Sequence, residues 1–350
     1  MLHISGICGG MTETLLLDKT TTDHAPAVIP GGASVHELQA AAEEVAALAA
    51  ALVLRTRRER TDGEAVAGSI IELMGSAMPV AQTKSSAVDP VTEADRGAET
   101  FIREWLHHRF PQATVIGEEE GADSSAPAAG SLGADPGDSA GPRLEWIVDP
   151  IDGTVNFVYG IPAFAVSVAA ALDGVPVAGA VVDAAHGHVF GACVGGPATV
   201  APVDFRSEEA VVGERQNISR QEARKDAAQA LVATGFSYDA ERRQRQARVL
   251  GAVLPHVRDI RRLGSAALDL CMVASGQVDG YYEHGLNGWD FAAGALIAAR
   301  AGATVVTPTL NYTAESGLPI IAGVPGVQEE LEKMLLSQGA GGSIEQLSLP

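Results

Sequence analysis

The sequence is short of cysteine and of positive charge. Its 350 residues include three cysteines, Cys8, Cys193 and Cys271. They are too few and too scattered for a disulfide framework or a paired-cysteine zinc site, and this usage fits a reducing cytoplasm. Lys and Arg number 24 against 44 Asp and Glu, a formal net charge of −20. A protein that wraps nucleic acid needs a basic face to neutralise phosphates, so the balance argues against a direct nucleic-acid partner. The N-terminus lacks a basic stretch leading into an apolar one, and no uncharged apolar run is long enough to span a bilayer. The expectation is a soluble cytoplasmic protein with no membrane partner. A chain of this length allows about two domains, each able to bury a core.

What the sequence does contain is a concentrated passage from Trp146 to Phe157, W-I-V-D-P-I-D-G-T-V-N-F. Three apolar residues lead into Asp149, a Pro-Ile step carries the chain to Asp152, and Gly153 and Thr154 follow where a helix would start. A strand delivering two carboxylates to one point, with open backbone N–H groups beyond, suits a divalent cation on one side and a phosphate on the other. Taken alone, the same residues also make an ordinary Asp-Gly turn.

In chain order, residues 1–33 lack periodicity and read as a flexible extension. Ser34 and Glu37 form a capping-box signature, and apolar residues recur at helical spacing through Leu54. A second helical stretch surrounds Ile70 to Met74. Asp95 falls in the first turn of a third helix that ends near Pro111. The run T-V-I-G is a short strand ending on the acids Glu118, Glu119 and Glu120. Residues 121–143 are almost all Gly, Ala, Ser, Pro and Asp, a flexible loop that is either a lid or a passive insertion. Apolar runs broken by D-G and H-G from Phe164 to Val189 predict antiparallel hairpins. A boundary near Asp204 closes an N-terminal α+β domain over 34–204. From 205 to 337, strands (231–234, 280–283, 304–306, 320–321) alternate with helices (241–254, 266–275, 291–301 and one after Pro325), an α/β pattern. Residues 338–350 read as a loose tail.

Five acids sit at the ends of these elements: Asp95, Glu118, Asp149, Asp152 and Asp290, the last in G-W-D-F-A-A-G. Oxygen-only ligands favour magnesium or manganese over zinc. Each acid also has a structural explanation as a helix cap, a turn residue or a solvated loop. Lys84 either screens the acids or lies on the surface, Trp289 packs beneath the site, and His284 reads as a solvated histidine.

The passages K-S-S-A-V-D-P-V-T-E-A-D, I-G-E-E, W-I-V-D-P-I-D-G-T-V-N-F, R-R-L-G-S-A-A-L-D-L and Y-Y-E-H-G-L-N-G-W-D-F-A-A-G occur in this order. In that order the chain resembles the inositol monophosphatase family of magnesium-dependent, lithium-sensitive phosphatases. The resemblance implies an α+β fold, a layered α/β/α/β/α sandwich of the sugar-phosphatase type, with N-terminal helices on an antiparallel sheet and a C-terminal α/β domain. It also implies that Glu118, Asp149 and the carbonyl of Ile151 hold one Mg2+, that Asp149, Asp152 and Asp290 hold a second, and that Glu118 helps hold a weaker third. Mn2+ is an alternative ion and Li+ the expected inhibitor. By the same resemblance, Asp95 and Thr154 orient the attacking water beside Glu118, and Gly153 and Thr154 hold phosphate oxygens. Glu283 and the backbone near Ala266 bind substrate hydroxyls, alongside Asp152 and Asp290.

The expected function is hydrolysis of a small phosphorylated polyol, inositol 1-phosphate first, by a homodimer. Fructose 1,6-bisphosphate, histidinol phosphate and 3′-phosphoadenosine 5′-phosphate are alternative substrates. A regulatory, protein-binding role on the same scaffold is the alternative of a different class.

Overall fold

Glu37 Oε2 accepts from the Ser34 N–H at 2.7 Å, and Ser34 Oγ from the Glu37 N–H at 3.2 Å, closing the expected capping box. Helix α1 (Val35–Thr61) starts there. Leu38, Ala42, Val45, Ala49 and Val53 form its buried stripe at three- and four-residue spacing. Helix α2 (Glu93–Arg109) buries Ala98, Ile102 and Leu106 in the same way. The computed structural model describes residues 14–26, 28–61, 82–83, 90–91, 93–122, 142–205, 210–220 and 225–347. The helix expected around Ile70 to Met74, Lys84 and most of the 121–143 loop lie outside the described residues.

Strand β1 (Thr14–Leu17) precedes α1, and β2 (Gln82–Thr83) and β3 (Pro90–Val91) pair with each other. The larger sheet has nine strands: β4 (Thr114–Gly117), β5 (Gly121–Ala122), β6 (Leu144–Asp152), β7 (Ala165–Leu172), β8 (Val175–Asp183), β9 (His188–Cys193), β10 (Ala198–Asp204), β11 (Val211–Val212) and β12 (Gln216–Ile218). Its order is β11-β10-β9-β8-β7-β6-β4-β5, with β12 also on β10. Only β4 and β6 run parallel; the hairpins predicted from Phe164 to Val189 are present as β7, β8 and β9. The six-stranded sheet joins β1 to β13 (Leu231–Thr234), β14 (Asp259–Arg261), β15 (Gly280–His284), β16 (Thr304–Pro308) and β17 (Pro319–Gly323) in the order β1-β16-β17-β15-β13-β14.

The remaining helices are α3 (Thr154–Tyr159), α4 (Ala240–Val253), α5 (Ala266–Ser275), α6 (Gly288–Ala301) and α7 (Val327–Ser337). Helices α1 and α2 cover one face of the large sheet, and α6 packs on the other. Helix α5 lies beside α6 and against the second sheet, whose far side carries α7, with α4 beside it. The result is the layered α/β/α/β/α sandwich, an α+β fold. Small residues set the central spacing: a Cβ on Gly294 of α6 would come 2.9 Å from Leu270 Cβ of α5, and one on Gly179 of β8 would come 3.1 Å from Ala293 Cα.

Three expectations are corrected. Part of the presumed flexible extension is a strand, since Thr14–Leu17 pairs antiparallel with β16 and buries Leu15 and Leu17. Four residues give too short a pattern to stand out. The large sheet also continues past Asp204, because β11 and β12 fold back onto β10. The tail is docked through residue 347: Ala340, Ile344 and Leu347 are buried in one cluster with Val327, Leu331 and Leu335. Its Gly/Ser-rich composition masks those three apolar anchors.

Candidate active site

In a regular strand, residues three apart face opposite sides of the sheet, so Asp149 and Asp152 would diverge. They do not, because the register of β6 on β7 shifts between them: Asp149 pairs with Ser167 and Asp152 with Ala165. The extra residue is a bulge at the Pro150–Ile151 step, which turns both carboxylates toward one side. Asp149 Oδ1 accepts from the Ile151 N–H at 3.0 Å, and the Thr154 hydroxyl donates to the Ile151 carbonyl at 3.0 Å. Gly153 then opens α3 at φ 94°. A Cβ there would sit 2.8 Å from the Ala163 carbonyl, so the turn demands glycine.

Asp290 arrives from the opposite side, in the first turn of α6. It completes a capping box, with Oδ2 accepting from the Asn287 N–H at 2.7 Å. Capping and clustering coexist: Asp149, Asp152 and Asp290 can each place a carboxylate oxygen within 4.8 Å of the others. Glu118, just beyond β4, lines the same cleft but stands outside that tight triad. Asp95 is fully buried, and its charge registers on Asp149.

Burial and mutual repulsion raise the acids together. Asp149 is held well above the usual carboxylate range by burial, then by Glu118, Asp152 and Asp290. Burial and then Glu118 do the same to Asp290. Asp152 is pushed up to about 6 by burial, although Ser265 and the N–H groups of Ala267 and Ala266 pull it back. Ser265 Oγ donates to Asp152 Oδ2 at 2.6 Å and the Ala267 N–H at 2.7 Å, so this acid sits at the N-terminus of α5. Packed carboxylates whose charges disfavour one another are the donor set a hard divalent cation relieves.

The cleft is about 480 Å³. Gly153, Thr154 and Ala266 line it together with Glu283, Arg242 and Arg262. Glu283 is buried, accepts from the Tyr281 hydroxyl at 2.8 Å, and is pushed up to about 7, chiefly by burial. It lies directly on the Gly235 backbone, where a Cβ would overlap its Oε2 at 2.0 Å. His284 is not solvated, contrary to expectation. It is 1% exposed, and its Nε2 lies 2.7 Å from the Ala340 carbonyl, because the docked C-terminal segment covers it. Trp289 packs against the core.

Several residues of the site had no role readable from the sequence, although Asn156 and Asp269 lie within the passages that carry the resemblance. Glu99 of α2 accepts from the Glu119 N–H at 2.7 Å and the Glu120 N–H at 3.0 Å, while Arg103 donates to it at 2.8 Å. It thereby fixes the turn that presents Glu118. Asn156 Nδ2 donates to the carbonyls of Ala163 and Leu263, both at 2.7 Å, and ties α3 to the segment entering α5. Asp269 is buried behind the cleft wall, and burial and then Glu283 hold it well above the usual carboxylate range.

The layered sandwich carries, where its two sheets meet, an acidic cleft of oxygen donors able to hold a metal ion, as a metal-dependent hydrolase requires. Residues 34–339 match the inositol monophosphatase family, and the chain belongs to it. It is 43% identical over 294 residues to an inositol-1-monophosphatase of Mycobacterium bovis, covering 84% of this chain and 91% of that protein. It is 33% identical over 250 residues to a protein named Nus factor SuhB from Pasteurella multocida, covering 71% and 83% respectively. Among solved structures, Mycobacterium tuberculosis SuhB superposes with a TM-score of 0.63 at 38% identity, covering 86% of this chain and 96% of that one.

Proposed function

We propose that the protein hydrolyses a small polyol phosphate, with inositol 1-phosphate the first candidate, and that it requires Mg2+, accepts Mn2+ and is inhibited by Li+. The observation that carries this reading is the convergence of Asp149, Asp152 and Asp290 on one point of the cleft. Glu118, Asp149 and the Ile151 carbonyl are the proposed holders of one ion, and Asp149, Asp152 and Asp290 of a second. When bound, such ions supply charge neutralisation and an acidified water.

The chain's own groups do the rest. Asp95 and the Thr154 hydroxyl orient the attacking water, and the N–H groups of Gly153 and Thr154 hold phosphate oxygens. Glu283 accepts from a hydroxyl of the leaving group, and the backbone near Ala266 binds another. Placing the substrate this way turns a bimolecular attack into an effectively unimolecular one. The working unit we propose is a homodimer.

The name Nus factor SuhB on a relative keeps a regulatory role as the second reading. An intact set of cleft acids favours catalysis, since a purely regulatory scaffold has no chemical need for them. The test is phosphate release from inositol 1-phosphate, fructose 1,6-bisphosphate, histidinol phosphate and 3′-phosphoadenosine 5′-phosphate, with magnesium, with EDTA and with lithium. A magnesium-dependent preference for inositol 1-phosphate is expected. Folded protein that releases no phosphate from any of them would favour the regulatory reading.

A further inference from the structure

The cleft holds two arginines, and they are not equivalent. Arg242, in the first turn of α4, donates from Nε to Glu345 Oε1 at 2.5 Å and from Nη2 to the Glu315 carbonyl at 3.4 Å. Its charge is answered within the protein. Arg262 follows β14 and lines the same cleft, yet makes no hydrogen bond or ion pair with any described residue. Its Nη1 lies over Gly264, 2.6 Å from where a Cβ would be. Its charge is felt at Glu283 and at Asp269 behind it. The uncommitted cation therefore shares the cleft with the carboxylate that Tyr281 holds in place, and its charge acts on that carboxylate.

A polyol hydroxyl is both donor and acceptor, whereas an ionised carboxylate only accepts and a guanidinium only donates. Glu283 alone satisfies half of what a ring of hydroxyls offers. A fork of five donors beside it satisfies the other half and discriminates by geometry. A second phosphate on the leaving group would meet the guanidinium, but it would also meet the Glu283 carboxylate, a like charge.

Building on the phosphatase reading above, we propose that Arg262 is a specificity-determining residue. Its guanidinium donates to a hydroxyl oxygen of a neutral polyol while Glu283 accepts from the neighbouring hydroxyl. The substrate class is thus a monophosphate bearing adjacent free hydroxyls, in preference to aryl phosphates and bisphosphates.

The experiment compares wild type, Arg262→Ala and Arg262→Lys on inositol 1-phosphate, phenyl phosphate and fructose 1,6-bisphosphate in magnesium, reading kcat and KM separately. For Arg262→Ala the KM for inositol 1-phosphate should rise roughly 10- to 100-fold, the range for a lost charged hydrogen bond. The kcat/KM preference for inositol 1-phosphate over phenyl phosphate should collapse by about the same factor. Arg262→Lys should recover part of it, because an ammonium donates without the fork. An equal loss on phenyl phosphate would place the guanidinium on the reacting phosphate and overturn the proposal. So would a loss confined to the bisphosphate, or no change on any substrate. Wild-type protein inactive on all three would instead remove the phosphatase reading itself.

Discussion

Asp149 is where the electrostatics of the cleft converge, since burial and four neighbouring acids act against its charge. Asp149→Asn removes one of those charges with little change of shape. In EDTA the variant should therefore melt at or above the wild-type Tm, while turnover with magnesium falls by orders of magnitude. Wild-type turnover in a folded Asp149→Asn protein would refute the metal assignment. Asp152 and Glu283 make the metal-free protein pH-sensitive. Both bind protons more tightly when folded, at about 6 and about 7. Their contribution is thus complete below about pH 4 and is lost as the pH rises through those values. Tm in EDTA should fall across that window, and Glu283→Gln should flatten its upper part; an unchanged slope in that variant would reject the assignment to Glu283. Glu99→Gln should loosen the Glu118 turn and weaken magnesium affinity roughly 10- to 100-fold by calorimetry, the usual penalty for losing a support behind a ligand. The acids themselves were legible in the sequence, because each stands at the end of a patterned element. The roles of Glu99, Asn156 and Tyr281 were not, although the last two lie within the passages that carry the resemblance, because each acts through a partner that only the tertiary fold supplies; that of Arg262 was not, because only the fold brings it into the cleft.

At the scale of the element, β6 and α6 do the most to build the site. The strand pattern through Asp149 was readable, but the bulge that aligns Asp152 with it was not, since a Pro-Ile step reads as a turn until the register on β7 is seen. Helices with a cap and an apolar stripe, α1 and α2 above all, were evident. Strands β10, β11 and β12 were hidden by Gly, Pro and charged residues around them. Helix α6 carries Asp290 at one end and is seated by small residues along its length. Gly294→Val should overpack it against Leu270 and cost about 1–3 kcal/mol in denaturant melts. It should also raise the magnesium concentration needed for half-maximal activity, because the helix that aims Asp290 is displaced.

Across the whole molecule, the layers place Asp149 and Asp152 on the larger sheet and Asp290 on α6, with Glu283 on the second sheet, so both halves wall one cleft. Among the described residues no helix is long and apolar enough to cross a membrane. The docked C-terminal segment joins the outer layer to the cleft through Glu345, which pairs with Arg242 and Arg245. Ile344→Ala should cost about 2–5 kcal/mol, as expected for a fully buried side chain, and an unaltered melt would show that the segment is not docked in solution. The central claim is that this cleft is a metal-dependent phosphatase site, and the most direct measurement is phosphate release from inositol 1-phosphate by metal-stripped protein as magnesium is titrated back. The account predicts no turnover without metal, saturable recovery with magnesium, and no recovery in Asp149→Asn. Turnover that is indifferent to EDTA and magnesium would contradict it.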